Sequence, residues 1–136
     1  MTDQIPRIYI AGPMRGLPAL NWPAFDMARD LLDERGALPI SPADLDRIAG
    51  LEPGDDLTDE QLRYCLKRDC VALLSCHAVV MLPGYTDSLG AMAEFYLAKA
   101  AGIPIQCIRE WEYRLDMVLA VHMARGQLNK LGTLDA

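Results

Sequence analysis

Five consecutive apolar residues, Ala78-Val79-Val80-Met81-Leu82, run through the middle of the chain and stop at Pro83-Gly84. A strand that is apolar at every position is typical of a parallel sheet covered by helices on both faces. We therefore expect an α/β fold built around this strand. Three other stretches have a strand-like composition: Arg7 to Ala11, Ala37 to Ser41 and Ile103 to Ile108.

Helix signals lie between these strands. Asn21 is the predicted cap of a first helix, which has Pro23 in its first turn and ends at Gly36. A capping-box pattern at 58–61 opens another helix. The apolar positions of the first helix are Phe25, Ala28, Leu31 and Leu32, and the predicted buried stripe of the second is Leu62, Cys65, Leu66, Asp69, Ala72 and Leu73.

Three further segments complete the pattern. A helix capped by Asp87 or Ser88 runs to about Ala101 and ends at Gly102. The stretch 42–57, rich in Pro, Gly and Asp, predicts an irregular surface excursion with a short helical turn from Ala43 to Ile48. Trp111 to Arg125 predicts a final amphipathic helix, either docked on its own sheet or part of a subunit interface, followed by a tail at 127–136.

The alternation of strands and helices predicts one domain over residues 1–136, with an open, mostly parallel sheet. In such sheets, ligands bind beyond the carboxyl ends of the strands, where the strand order reverses. We therefore expect the binding edge at the loops after the first strand and after the apolar strand 78–82.

The net charge of −6 argues against a protein that binds nucleic-acid polymers through clustered basic residues. A small anionic ligand stays compatible with this charge, because one Arg and backbone amides can hold a phosphate. No secretion signal is visible, and no apolar run approaches the roughly 20 residues of a membrane helix. We expect a soluble cytoplasmic protein with no membrane partner.

The cysteines and histidines predict no metal site. The four cysteines lack CxxC spacing, and the two histidines complete no metal pattern. We expect reduced, mostly buried thiols and no metal. The residues concerned are Cys65, Cys70, Cys76, Cys107, His77 and His122.

Two loops at the predicted binding edge carry groups that suit an anion. The first, Gly12-Pro13-Met14-Arg15-Gly16, offers glycines, backbone amides and one guanidinium, although glycine turns also serve simple chain reversal. The second, Pro83 to Gly90, places hydroxyls and amides at a helix N-terminus, where Ser88 could equally be an ordinary cap.

Two carboxylates are candidates for chemistry. Glu94 shares a helix face with small or apolar neighbours, which would let a ligand approach, but a plain surface Glu is the alternative. Asp69 lies in the predicted buried stripe, and a structural pairing with Arg68 is its alternative role. The neighbours of Glu94 on that face are Gly90, Ala91, Leu97 and Ala98.

Taken together, these segments resemble the nucleoside 2-deoxyribosyltransferase-like superfamily, and in particular its uncharacterised phage and bacterial branch, which is related to nucleoside 5'-monophosphate N-glycosidases. The resemblance covers about Arg7 to Ile108. It is carried by the order and spacing of 8–16, Asn21-Trp22-Pro23-Ala24-Phe25, Arg68-Asp69 and Asp87-Ser88-Leu89-Gly90 with Glu94.

The resemblance implies a flavodoxin-like or Rossmann-like three-layer α/β/α fold, a homo-oligomer and no cofactor. It implies that Glu94 attacks the anomeric carbon of a nucleotide or nucleoside and forms a glycosyl-enzyme intermediate. Tyr9 would position Glu94, and Asp69 would act near the base or as an acid. The residues implied to line the substrate site are Gly12, Pro13, Arg15, Gly16, Asn21, Asp87, Ser88 and Gly90.

Three functions follow as hypotheses. The first is an N-glycosidase that hydrolyses a (deoxy)nucleoside 5'-monophosphate, and its variant is a transferase that moves deoxyribose between bases. A non-catalytic nucleotide sensor is another class, because the fold does not fix the function. A purely structural protein explains the polar residues at the ligand edge least well. The resemblance also implies a polar residue from a neighbouring subunit, for which the candidates are His122, Gln127 and Asn129.

Overall fold

The computed structural model describes residues 5–107. No helix in this range is long and apolar enough to cross a membrane. Several sequence expectations lie outside the described residues: Ile108 of the last predicted strand, the helix from Trp111 to Arg125, the tail at 127–136, and the candidates His122, Gln127 and Asn129.

Strands and helices alternate in the described chain, and every strand pair is parallel. The strands are β1 (Arg7–Ala11), β2 (Leu38–Ile40), β3 (Ala78–Met81) and β4 (Ile105–Cys107). The helices are α1 (Trp22–Glu34), α2 (Pro42–Ile48), α3 (Asp59–Leu74) and α4 (Leu89–Ala101). The predicted α/β fold with an open parallel sheet is confirmed.

The strand order within these residues is β2-β1-β3-β4. Tyr9 on β1 lies beside Val79 on β3, and Ala11 lies beside Met81. The chain leaves β1 toward β2 and then crosses back to β3, so the direction of winding reverses between β1 and β3. Their carboxyl ends therefore form the switch point, as the sequence predicted.

The central strands bury side chains on both faces, which explains their continuous apolar pattern. One face carries Ile10 and Val80 and packs with Phe25 and Leu32 of α1. The other carries Tyr9 and Val79 and packs with residues of α3 and α4, including Leu73 and Ala98. The result is a three-layer α/β/α arrangement.

The predicted buried stripe of α3 is partly wrong. Cys65 and Leu73 are buried, but Leu62, Asp69 and Ala72 keep intermediate exposure and Leu66 is 47% exposed. Leu62, Cys65, Leu66 and Asp69 face a cavity rather than packed protein. Helical periodicity identified the inward face, but this part of the face borders empty space.

The cap predicted at Asn21 is also wrong in its chemistry. Asn21 stands at the start of α1, but its side chain makes no hydrogen bond to the helix. Its backbone, like that of Ala19 and Leu20, has a positive φ. Asn tolerates this left-handed conformation better than most residues. The Asn21 amide instead donates to the carbonyl of Pro13 at 3.0 Å and ties α1 to the loop after β1.

The other helix ends follow their sequence signals. Ser41 accepts from the amide of Ala43 and begins α2, so the short turn predicted there is a helix. Thr58 and Gln61 form the predicted capping box of α3. Ser88 caps α4, and Gly102 ends it in a left-handed conformation.

Gly12 allows the ends of β1 and β3 to approach closely. A Cβ atom built on Gly12 would lie 2.7 Å from Cβ of Leu82 and 2.9 Å from its Cδ1. The nearest atom is fixed to the backbone and cannot swing away. Gly12 is therefore required for packing at the binding edge, whatever it contributes to a ligand.

We expect Gly12→Ala to lower the free energy of unfolding by about 1–3 kcal/mol, because the added methyl group forces Leu82 or the strand end to shift. Urea unfolding monitored by circular dichroism measures the effect. Gly54→Ala is the matched control, since nothing lies within 4 Å of a Cβ there. Equal stability of the two variants would contradict the proposed close approach.

Candidate functional site

A cavity of about 900 Å³ opens at the carboxyl edge of β1 and β3. Its volume falls within the range of roughly 300–1,000 Å³ that is usual for small-molecule sites. Its walls come from the loop after β1, from α2 and α3, and from the loop after β3 with the start of α4. Glu94 and Asp69 are both among the lining residues.

Tyr9 and Glu94 meet beneath this cavity. Tyr9 is fully buried on β1, and Glu94 on α4 is 6% exposed. The Tyr9 hydroxyl donates a hydrogen bond to Oε2 of Glu94 at 2.6 Å. A short charge-assisted bond of this kind fixes the carboxylate in one orientation. The sheet therefore positions a carboxylate that belongs to a helix.

Burial dominates the ionisation of this pair. It raises the pKa of Glu94 to about 8; the hydrogen bond from Tyr9 opposes the rise, and the negative charge of Asp69 adds to it. Burial, together with the negative charges of Glu94 and Asp69, raises the pKa of Tyr9 well above its usual value. The Glu94 carboxyl group therefore has a pKa close to neutral pH, where it can gain or lose a proton.

Asp69 belongs to a three-residue ionic cluster. Arg68 donates through Nη2 to Oδ1 of Asp69 at 2.8 Å and to Oδ1 of Asp46 at 2.6 Å. Its Nε also donates to Oδ1 of Asp69 at 2.9 Å. Burial raises the pKa of Asp69 to about 6, although Arg68 pulls it down. The pairing with Arg68 and a place in the cavity, considered as alternatives for Asp69, both occur.

The residues of the first loop are only partly brought together. Gly12, Pro13, Arg15 and Asn21 line the cavity, whereas Gly16 does not. Gly16 has a φ of +81° and serves the turn. Arg15 is exposed and makes no ion pair or hydrogen bond within residues 5–107, so its guanidinium is available to a ligand. The Nδ2 atom of Asn21 is already used by Pro13.

The second loop contributes Asp87, Ser88 and Gly90 to the lining. The Ser88 hydroxyl accepts from the amide of Ala91 at 3.2 Å, so it caps α4 while it borders the cavity. Gly90 has nothing within 4 Å of a built Cβ, which leaves room for a ligand beside the helix. The capping role and the predicted place at the site are thus compatible for Ser88.

Sequence reasoning missed Asp46. It lies on α2, is 9% exposed and lines the cavity. The only sequence signal for Asp46 was its place in the short helical turn predicted from Ala43 to Ile48. The rest of the segment 42–57 was predicted to be an irregular surface excursion. Leu57 and Pro42 of the same segment also line the cavity. The excursion between β2 and α3 is therefore one wall of the site.

Cysteines and histidines form no metal site in the described part of the chain. No group of three or more His, Cys, Asp or Glu side chains in residues 5–107 is arranged to hold a metal ion. Cys65, Cys70, Cys76 and Cys107 are free thiols with low exposure. His77 accepts a hydrogen bond from the backbone of Arg7 through Nδ1 at 3.0 Å.

The chain belongs to a known sequence family. The model of the family described as Domain of unknown function (DUF4406) matches residues 6–107, which include both strands and all the helices that form the cavity. Among curated proteins, no relative matches the chain.

Solved structures share the fold. A 2-deoxyribosyltransferase from Bacillus psychrosaccharolyticus has 17% identity and a TM-score of 0.56, over 74% of this chain and 70% of that one. A conserved protein from Enterococcus faecalis V583 has 21% identity and a TM-score of 0.54, over 76% of this chain and 63% of that one. BlsM has 21% identity and a TM-score of 0.56, over 90% and 76%. The chain therefore shares the α/β fold of these structures, one of which is a 2-deoxyribosyltransferase.

We expect Glu94→Gln to stabilise the protein increasingly as pH rises. The folded protein holds the Glu94 proton up to a pKa of about 8, whereas the unfolded chain releases it near 4.5, so the parent loses stability between these values. A neutral glutamine of the same size avoids this loss. Thermal unfolding of both proteins from pH about 5 to about 9 measures the difference.

Glu34→Gln is the matched control, because Glu34 is exposed at the end of α1. A constant difference in melting temperature between the Glu94 variant and the parent across this range would show that Glu94 is not held in a protonated, buried state.

Proposed function

We propose that the protein hydrolyses the N-glycosidic bond of a nucleoside 5'-monophosphate, with Glu94 as the nucleophile. The observation that carries this proposal is a buried carboxylate, fixed by Tyr9 at 2.6 Å, in a cavity of nucleotide size. A fold neighbour is named as a 2-deoxyribosyltransferase, which supports chemistry at the sugar–base bond. The exposed guanidinium of Arg15 and the amides at the start of α4 support a phosphorylated substrate.

The reaction has two steps. In the first, a carboxylate oxygen of Glu94 bonds to C1' of the sugar, and the electron pair of the C1'–N bond leaves with the base, which takes up a proton. Asp69, beside Glu94 in the cavity, is the group proposed to act near the base. Its pKa of about 6 leaves it ionised over the pH range in which Glu94 ionises, so solvent supplies the proton to the base. In the second step, water attacks C1' and releases a proton to solvent. The electron pair of the ester bond returns to the Glu94 carboxylate, and the sugar phosphate is released.

The phosphate is held away from the reacting bond. Four lining residues are acidic (Asp46, Asp69, Asp87 and Glu94), and Arg15 is the single basic lining residue among residues 5–107. A dianion entering this cavity would be repelled except near Arg15 and the α4 amides. Binding energy gained there orients the sugar toward Glu94.

Deoxyribosyl transfer to a second base is the alternative activity, and the 2-deoxyribosyltransferase with the same fold favours it. The two activities share the glycosyl-enzyme intermediate and differ only in the acceptor. A non-catalytic sensor is less well supported, because Glu94 is buried and in contact with Tyr9 rather than facing solvent.

A cytoplasmic homo-oligomer is part of the same proposal. Helix α4 carries apolar side chains that a monomer leaves exposed, with Leu89 92% and Tyr96 60% exposed. Light scattering that shows a monomer at working concentration would contradict this part of the proposal.

The direct test is base release. We expect the purified protein to release free base from at least one ribo- or deoxyribonucleoside 5'-monophosphate, as measured by liquid chromatography. Glu94→Gln and Glu94→Ala should each lower the rate by at least about 10³-fold, because removing a catalytic nucleophile can cost up to about 10⁶-fold. Glu34→Gln, an exposed glutamate on α1, should match the parent. A second base added to the assay yields a new nucleotide only if the protein is a transferase.

No base released from the whole panel, or a Glu94→Ala variant as active as the parent, would rule out this chemistry.

The pH dependence gives a second test, because the nucleophile must be ionised. We expect kcat/KM to rise with pH through the pKa of Glu94, near 8. Tyr9→Phe removes a hydrogen bond that lowers this pKa, so the rise should move to higher pH. Asp69→Asn removes a charge that raises it, so the rise should move to lower pH.

Tyr64→Phe is the matched control, since Tyr64 is 60% exposed on α3. Shifts of the two site variants in the same direction would be inconsistent with this electrostatic assignment.

A further inference from the structure

One wall of the cavity accepts hydrogen bonds but offers no side-chain N–H. We call it the α2–α3 wall. Its side chains are five apolar or thiol groups and two carboxylates, and the side-chain donors of the cavity come from the loop after β1, the turn before α1 and the start of α4. The α2–α3 wall consists of Pro42, Asp46, Leu57, Leu62, Cys65, Leu66 and Asp69.

Arg68 orients the two carboxylates of this wall. It engages Oδ1 of Asp46 and Oδ1 of Asp69, and no hydrogen bond within residues 5–107 reaches the Oδ2 atom of either. Asp46 and Asp69 line the cavity, whereas Arg68 does not. The remaining Nη1 of Arg68 is buried and has no partner in this range, so a ligand cannot reach it without displacing protein. The wall therefore presents acceptors without competing donors.

We propose that the α2–α3 wall recognises a nucleobase with the exocyclic amino group that cytosine and adenine carry, with Asp46 as a specificity-determining residue. The proposal rests on the proposed function and specifies its substrate. Leu57, Leu62 and Leu66 provide apolar surface for the base, and the Oδ2 atoms of Asp46 and Asp69 accept from its amino hydrogens. Asp46 is buried, with its side chain 12% exposed, so an unmatched acceptor there would be costly.

The chemistry of the bases makes this selective. Cytosine and adenine present an amino group where uracil and hypoxanthine present a carbonyl oxygen. A carbonyl oxygen in that position offers no donor to the two carboxylates and is repelled by their charge. The ring N–H beside the carbonyl can satisfy only one of the two acceptors. Buried acceptors left without a donor weaken binding by about 1–3 kcal/mol each, so we expect at least a tenfold preference.

The first experiment uses binding without turnover. Isothermal titration of the Glu94→Gln variant with matched nucleotides compares cytidine with uridine 5'-monophosphate, and adenosine with inosine 5'-monophosphate. We expect the amino-bearing member of at least one pair to bind at least about tenfold more tightly. Equal binding, or tighter binding of both carbonyl-bearing members, would overturn the inference while leaving hydrolysis by the parent intact.

The second experiment changes Asp46 and reads the ratio of kcat/KM within each pair. Arg68 needs an acceptor, so Asp46→Asn should keep its oxygen toward Arg68 and turn its NH₂ group toward the cavity. We expect the preference for the amino-bearing base to fall at least about fivefold, mainly through KM. Dividing the variant's ratio by the parent's cancels the different intrinsic lability of the glycosidic bonds.

Asp44→Asn is the control on the same helix, because Asp44 pairs with Arg29 and Arg47 outside the cavity. Its preference should equal that of the parent. An unchanged preference in a folded Asp46→Asn variant would overturn the role of Asp46. Failure of the parent to release base from any nucleotide would instead overturn the proposed function itself.

Discussion

The hydrogen bond from Tyr9 to Glu94 joins the centre of the sheet to helix α4, and the arrangement of the cavity follows from it. Tyr9 is held by β1, which pairs with β2 on one side and β3 on the other. Glu94 is held by a helix that begins at the carboxyl edge of β3. Two independently supported elements therefore fix one carboxylate, and this limits its freedom more than either element could alone.

The same hydrogen bond offsets part of the free-energy cost of burying Glu94. Removing a carboxylate from water is costly, and the raised pKa of Glu94 is the direct expression of that cost. The Tyr9 hydroxyl recovers part of it by stabilising the ionised form. Asp69 acts in the opposite sense, because its charge disfavours a second nearby anion. The ionisation of Glu94 is thus set by its burial and by two groups on two other elements. Tyr9 lowers the pKa and Asp69 raises it, which is why single changes at these residues act with opposite signs.

Much of the fold was predictable because its signals are local. The apolar run at 78–82 and the strand after Arg7 marked the two buried strands, and the turn residues after them marked the binding edge. Glu94 was a candidate because Ala91 and Ala98 on the same helix face are small enough to leave room for a ligand. The Asn21 cap was mispredicted because Asn suits both a helix cap and a left-handed backbone.

The other features of the site depended on how the elements pack together, which the periodicity of the sequence does not encode. Leu62 and Leu66 point inward, as their spacing indicated, but spacing cannot tell whether the space they face is filled by protein or left open. Asp46 was missed for a related reason. Its burial arises only when α2 packs beside α3 and Arg68 reaches across to it.

The cluster of Asp46, Arg68 and Asp69 is difficult to explain by stability alone. Buried ion pairs often contribute little, since apolar groups of the same volume stabilise as well or better. Here one guanidinium serves two carboxylates, and its Nη1 atom remains without a partner in the described chain. In the same range, the Oδ2 atoms of Asp46 and Asp69 accept no hydrogen bond and lie beside an apolar wall. A ligand that supplies N–H donors and a flat apolar surface would pair with these acceptors and cover the apolar wall. Residues that stabilise the core poorly are therefore suited to recognise a nucleobase.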